Sequence, residues 1–217
     1  LAFRDAYHGG VIKFLGGHCE LNMPFDFVLA DYNDIDGTAS LIDQVGDELA
    51  GVIVEPVLGA GGNIQGNRQF LQMLRQKTAE VGALLIFDEI KTSRLGPSGV
   101  QGMVGIDPDL TTIGKVIGGG LPTGAFGGSA ELMSRFDPRQ DGALAHAGTS
   151  NTNVGSMAAG CAALREVYTP ERAAEFFTWS EASRLSLNEM FAAKAVPLYA
   201  NGIGSMIALH FSKEPTK

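Results

Sequence analysis

Cysteine is nearly absent: Cys19 and Cys161 are the only two in 217 residues. Two thiols so far apart fit neither a disulfide-dense scaffold nor a CxxC metal site, so the chain is expected in a reducing compartment. Positive charge is also short, with 16 Lys+Arg against 24 Asp+Glu and a formal net charge of −8. Without a Lys/Arg-rich block there is no positive face to meet phosphate, which argues against a nucleic-acid binder or a membrane-surface protein. Long apolar runs are missing too, since none approaches the roughly 20 residues of a membrane helix. No basic segment leads into a short apolar stretch and no Arg-rich amphipathic leader is visible, so the expected location is cytoplasmic. The chain opens on Leu1 rather than Met, and LAFRDAYHGG reads as the end of a strand running into a Gly-marked loop. At the other end the run SMIALHF at 205–211 stops almost at once in KEPTK. The chain is therefore expected to be a piece of a longer one, incomplete at both ends.

What is present is a globular composition, 45% hydrophobic and 18% charged, too apolar for disorder. Glycine contributes 29 residues, about twice its average share of roughly 7%. The glycines cluster at Gly9-Gly10, Gly16-Gly17, Gly59 with Gly61-Gly62, Gly118 to Gly120 and Gly127-Gly128, each near a short apolar run. That is the pattern of loops at strand ends, where backbone passes close to a ligand.

Several elements can be read along the chain. DFVLAD at 26–31 reads as a strand, and residues 38–49 carry Leu41, Ile42, Val45 and Leu49 at helical spacing. GVIV at 51–54 is a β-branched run that Glu55-Pro56 ends. Asn67 is placed to cap a helix to about Val81, closed by Gly82, and ALLIF at 83–87 then runs into Asp88-Glu89. An unbroken apolar run is typical of a buried parallel strand, and open α/β sheets gather ligands at the carboxyl ends of strands. The Ala-rich stretch Met157 to Tyr168 and a long amphipathic stretch from Glu171 to Ala195, behind Pro170, predict helices; YANGIGSMIALHF predicts strand, turn and strand. The fold class is therefore α/β, a mostly parallel sheet flanked by helices over 1–169, with the start of a small C-terminal α+β domain over 170–217.

Two residues carry the chemistry. Alone, Lys115 in its Gly-rich loop reads most plainly as a solvated side chain, and Asp88 as a helix cap or the partner of a nearby base. Together they say more. A lysine that attacks a carbonyl needs its neutral amine, which a partly buried, glycine-lined pocket favours by desolvation, and glycines leave room for a flat ring. A carboxylate at a strand end can keep a pyridine nitrogen protonated, the condition under which pyridoxal phosphate acts as an electron sink.

The chain resembles the class III pyridoxal-phosphate-dependent aminotransferases of fold type I. The likeness rests on YHGG at 7–10, GVIVEPVLGAGG at 51–62, LLIFDEIKTSRLG at 84–96, PDLTTIGKVIGGGLPTGAFGG at 108–128 and HAGTSNTN at 146–153, in the family's order and spacing. Within that family SRL at 93–95, AFGG at 125–128, FDPR at 136–139 and HAGTSNTN are most similar to the β-amino-acid (β-phenylalanine) aminotransferase branch, itself similar to glutamate-1-semialdehyde 2,1-aminomutase.

The resemblance implies that Lys115 forms the Schiff base with pyridoxal 5'-phosphate and then moves the substrate proton, nucleophile and general base in turn. Asp88 would pair with the ring nitrogen, Tyr7 would stack on one ring face beside His8, and Ile90 would press on the other. Thr149 and the backbone around Gly148 would reach the phosphate of a neighbouring subunit's cofactor, which implies a homodimer. Glu55 matches a family glutamate near the substrate pocket, but a strand-ending carboxylate paired with an arginine is the plainer reading. Two departures accompany the match. Lys91 stands where many relatives carry a Gln that bonds the ring hydroxyl, and the family's phosphate cradle and carboxylate-binding residues lie upstream of Tyr7. His146 reads as a loop histidine, while His18, His210 and Cys19 lack partners at metal-ligand spacing, so no metal is expected. GNIQGN at 62–67 lacks dinucleotide-binding spacing, and Leu164, Val167 and Tyr168 read as core or dimer contact.

The expected function is a transaminase moving an amino group from an amino donor, such as a β-amino acid, to a 2-oxo acid. The competing readings are an aminomutase-like intramolecular transfer and an incompetent fragment that only dimerises.

Overall fold

The computed structural model describes residues 1–10, 13–16 and 19–215; Gly17 and His18 lie outside them. Strand β1 (Ala2–Phe3) pairs in parallel with β2 (Leu29–Ala30), so only two residues of the stretch 26–31 enter a ladder. Helix α1 (Ile35–Val45) begins before residue 38 because the Asp34 side chain accepts the Gly37 N–H, and a 3₁₀ turn over Gly46–Glu48 replaces its expected last turn. After β3 (Gly51–Val54) comes a small antiparallel pair, β4 (Val57–Leu58) and β5 (Ile64–Gln65). Helix α2 (Arg68–Val81) keeps its expected limits and its Gly82 stop, but Asn67 makes no side-chain cap; its backbone N–H is instead accepted by Asn33 Oδ1 at 2.8 Å.

Strand β6 (Leu84–Asp88), helix α3 (Gly99–Val104), β7 (Leu110–Gly114) and β8 (Gly124–Gly128) complete the central sheet. Its order is β3-β6-β7-β8, with the first three strands parallel and β8 an antiparallel edge. The short helix α4 (Ala130–Met133) follows, then α5 (Val154–Ala162), which widens into a π turn over Ala163–Val167 where a continuous helix was expected. Helix α6 (Pro170–Ala193) starts with Pro170 in its first turn, and β9 (Tyr199–Ile203) and β10 (Met206–His210) form the expected hairpin. The expected amphipathic character of α6 is not found. Its buried residues are Ala173, Ser180, Arg184 and Phe191, while Phe176, Trp179, Leu185 and Met190 are exposed.

Side chains alternate along a strand, and this alternation decides where the core and the site fall. Val52 and Val54 of β3 and Leu85 and Phe87 of β6 point into a core shared with Ile42 of α1 and Phe70, Leu71 and Leu74 of α2. The next residue in register on each strand therefore faces the other way. The ladder pairs Val54 with Phe87 and Asp88 with Thr112, which sets Glu55, Asp88 and Thr112 in a row at the carboxyl ends of three parallel strands. Leu164 and Val167 are exposed, which removes the core reading for that pair. Among the described residues no helix is long and apolar enough to cross a membrane.

Candidate active site

The row at the strand ends opens onto a cavity of about 530 Å³, whose walls include Tyr7, His8, Glu55, Asp88, Ile90, Lys91, Thr112 and Lys115. Five of the seven site residues expected from the sequence, Tyr7, His8, Asp88, Ile90 and Lys115, thus meet at one place. Gly148 and Thr149 do not join them: they sit in an exposed turn before α5 and line no wall of this cavity.

Asp88 is nearly buried and both its oxygens are engaged, Oδ2 with His8 Nδ1 at 2.8 Å and Oδ1 with the Ile90 N–H at 3.1 Å. The plainer reading of Asp88, as partner of a nearby base, therefore holds, and the base is His8. His8 is held edge-on by Phe14, and its Nε2 is buried without a hydrogen-bond partner among the described residues. A carboxylate oriented from behind keeps one fixed geometry towards the cavity, as second-layer partners do for ligating groups elsewhere.

Lys115 follows β7 directly, with a backbone φ of 51°, in the left-handed region that a non-glycine residue rarely adopts. Such a conformation costs on the order of 1–3 kcal/mol and clusters at functional sites. The turn that carries it, Lys115–Gly118, lies against α5 so closely that a Cβ on Gly160 would come within 2.3 Å of the Ile117 carbonyl oxygen. One sequence expectation fails here. The Lys115 side chain is exposed, and the glycines on the cavity wall are Gly9 and Gly59, not the Gly118 to Gly120 cluster. The reason is local: Gly119 packs on α5 beside Ala159, Gly118 sits against Thr123 and Gly120 faces open space, so none of the three lines the cavity.

Among the described residues no arginine pairs with Glu55. Its Oε1 accepts the Tyr7 N–H at 2.8 Å and its Oε2 accepts the Gly59 N–H at 3.1 Å, while the Tyr32 hydroxyl donates to its backbone carbonyl at 2.7 Å. Burial pushes the Glu55 carboxyl above its ordinary value, and the two amides pull the other way. Glu55 thereby ties the Tyr7 segment to the end of β3. The strand-end signal that singled out Asp88 applies equally to Glu55. Beside it, Lys91 donates to Asn63 Oδ1 at 2.7 Å, and burial pulls its amine below the ordinary lysine value, opposed by Glu55 and assisted by Lys115. Glu89 plays a different part. Fully buried, it accepts the Thr92 hydroxyl and the Val100 and Gln101 N–H groups, pinning the start of α3 under the sheet, where Gly99 at φ 59° leaves it room.

A second cavity, of about 1200 Å³, shares Ile90 and Thr112 with the first and is lined by Phe126, Phe136 and His146. The His146 ring packs edge-on against both phenylalanines. Among the described residues no group of His, Cys, Asp and Glu is placed to hold a metal ion, and Cys19 and Cys161 are both free thiols.

Several known proteins resemble this chain in sequence and fold. A beta-phenylalanine transaminase from Variovorax paradoxus is 48% identical over 97% of this chain and 48% of its own length. The crystal structure of the beta-phenylalanine aminotransferase from that organism superposes with a TM-score of 0.94 at 47% identity, covering 99% of this chain and 50% of that one. A glutamate-1-semialdehyde 2,1-aminomutase from Bacillus velezensis is 39% identical over 99% of the chain and 53% of its length. A transaminase solved with PLP bound matches at 30% identity and a TM-score of 0.82, over 94% of this chain and 51% of that one. The chain thus spans about half the length of the curated relatives it matches. Class III aminotransferases depend on pyridoxal phosphate, and all of residues 1–217 match the aminotransferase class-III description. With an α/β sheet of fold type I and that match over its whole length, the chain belongs to the class-III aminotransferase family.

Proposed function

We propose that this chain supplies the lysine and aspartate of a pyridoxal-phosphate-dependent transaminase site that takes the amino group of a β-amino acid and passes it to a 2-oxo acid. The observation that carries the reading is the meeting of Lys115 with the His8-backed Asp88 on one cavity at the carboxyl ends of parallel strands.

The residues present fit the cofactor. A buried carboxylate with both oxygens oriented suits a protonated ring nitrogen, an exposed lysine on the cavity wall suits an aldehyde, and Tyr7 and Ile90 add an aromatic and an aliphatic side chain to the lining. When bound, pyridoxal phosphate supplies that aldehyde and a conjugated ring able to take up an electron pair. Asp88 would hold the proton on the ring nitrogen, and His8 would hold Asp88. The Lys115 amine would make the covalent attachment and, once displaced, carry the proton off the substrate carbon that bears the amine. Glu55 would keep Tyr7 at the cavity through the amide it accepts. Gly148 and Thr149 would serve the phosphate of a neighbouring copy, the arrangement of a homodimer, and residues 170–217 would begin a second, smaller domain.

The test is amino transfer from 3-amino-3-phenylpropionate to 2-oxoglutarate. Glutamate should appear only when both are present. The 39% identity to an aminomutase favours a second reading, in which the amine returns to a neighbouring carbon of the same molecule. Turnover without any external acceptor would select that reading and reject the transaminase.

A further inference from the structure

Four carboxylate or ammonium side chains stand on the cavity wall among the described residues: Glu55, Asp88, Lys91 and Lys115. Asp88 is matched by His8, and Lys115 is committed to the proposed covalent chemistry. Both carboxylate oxygens of Glu55 are taken by backbone N–H groups. Lys91 differs from the other three. Its ammonium has three N–H donors, of which one goes to Asn63 Oδ1 at 2.7 Å and a second makes a longer 3.5 Å contact to the Gly59 carbonyl.

The acceptor that aims it is itself fixed. Asn63 is buried, sits at a backbone φ of 58°, and its own carbonyl receives Asn201 Nδ2 from β9 at 3.3 Å. Lys91 therefore offers a charged donor whose nitrogen is set by Asn63, and a preorganised cation of this kind grips an anionic oxygen more firmly than a free surface lysine does.

From this placement we infer that Lys91 receives the carboxylate of the amino-acid donor, so that the chain carries a carboxylate-recognising group of its own beside Lys115. The inference rests on the proposed function and adds to it a group within this chain that helps select amino acids over plain amines. Glu55 opposes an incoming carboxylate from the same wall, and its two N–H donors blunt that opposition.

The experiment compares the protein with Lys91→Met and Lys91→Arg. The first readout is the ratio of kcat/KM for 3-amino-3-phenylpropionate to that for 1-phenylethylamine, which lacks the carboxylate. The second is equilibrium binding of 3-phenylpropionate, which has the carboxylate but no amine to react. In Lys91→Met the ratio should fall about tenfold to a hundredfold and binding should weaken in parallel, the loss expected for one charge-assisted hydrogen bond. Lys91→Arg, which keeps the charge, should hold both within about fivefold of the unaltered protein. An unchanged ratio or unchanged binding in Lys91→Met overturns the inference, as does an equal loss in Lys91→Arg. If the unaltered protein turns over neither donor, the proposed function fails and the binding comparison alone decides the role of Lys91.

Discussion

His8 Nδ1 and Asp88 Oδ2 lie 2.8 Å apart, joining segments eighty residues distant in sequence, with both side chains under a tenth exposed. This pair holds the carboxylate that the proposed chemistry needs in one orientation, and it has a measurable consequence. In His8→Leu, Asp88 keeps only the Ile90 N–H, so its carboxylate can rotate. Losing a hydrogen bond to a charged group is worth about 1.5–3 kcal/mol, and pyridoxal phosphate should bind about tenfold to a hundredfold more weakly in an absorbance titration.

Asp88→Asn separates binding from chemistry. The amide no longer stabilises a protonated ring nitrogen, so attachment at Lys115 should survive while turnover falls by orders of magnitude. Single-turnover kinetics with the amino donor read this directly, and a rate within about threefold of the unaltered protein speaks against a ring-nitrogen role for Asp88.

Gly160→Ala tests how Lys115 is positioned. The new methyl would meet the Ile117 carbonyl at 2.3 Å and push α5 off the turn that begins with Lys115. Overpacking of this kind costs about 1–3 kcal/mol, so a lower melting temperature should accompany slower covalent attachment of the cofactor. Unchanged attachment kinetics would mean that α5 does not position the lysine.

Part of this arrangement could be read from the sequence and part could not. Strands β3 and β6 and helix α2 were legible because each is a local pattern, an apolar run or a 3.6-residue stripe closed by Pro56, Asp88 or Gly82. Asp88 and Lys115 stood out by strand-end position and glycine context. The His8–Asp88 and Tyr7–Glu55 contacts were not legible, since they join segments that only the parallel ladder brings together. The exposure of Lys115 was misjudged because its neighbouring glycines were read as pocket lining, when Gly119 packs on α5 and Gly118 against Thr123. Helix α6 misled for a related reason: its buried face is made of Ala173, Ser180 and Arg184, and Arg184 is satisfied by Glu181 and the Ala200 carbonyl.

Buried Glu55 and Glu89 predict a pH signature of stability. Burial raises both above the ordinary glutamate value of 4.5, so between 4.5 and their raised values the folded chain binds more protons than the unfolded one. Their stabilising contribution is complete below 4.5 and declines as pH rises through that window. Glu80, Glu171 and Glu181 are lowered and act with the opposite sign, their contribution being lost as pH falls below 4.5. Urea unfolding at stepped pH should show the decline above 4.5, and Glu89→Gln should flatten it. A slope unaffected by that substitution would remove Glu89 from the account.

In the proposed chemistry Lys115 is the amine that reacts. Incubation with pyridoxal phosphate, reduction with borohydride and peptide mapping by mass spectrometry test it most directly. A single modified site at Lys115 is expected, lost in Lys115→Ala together with turnover. Label on Lys91 or scattered over surface lysines, or turnover retained without Lys115, would contradict it.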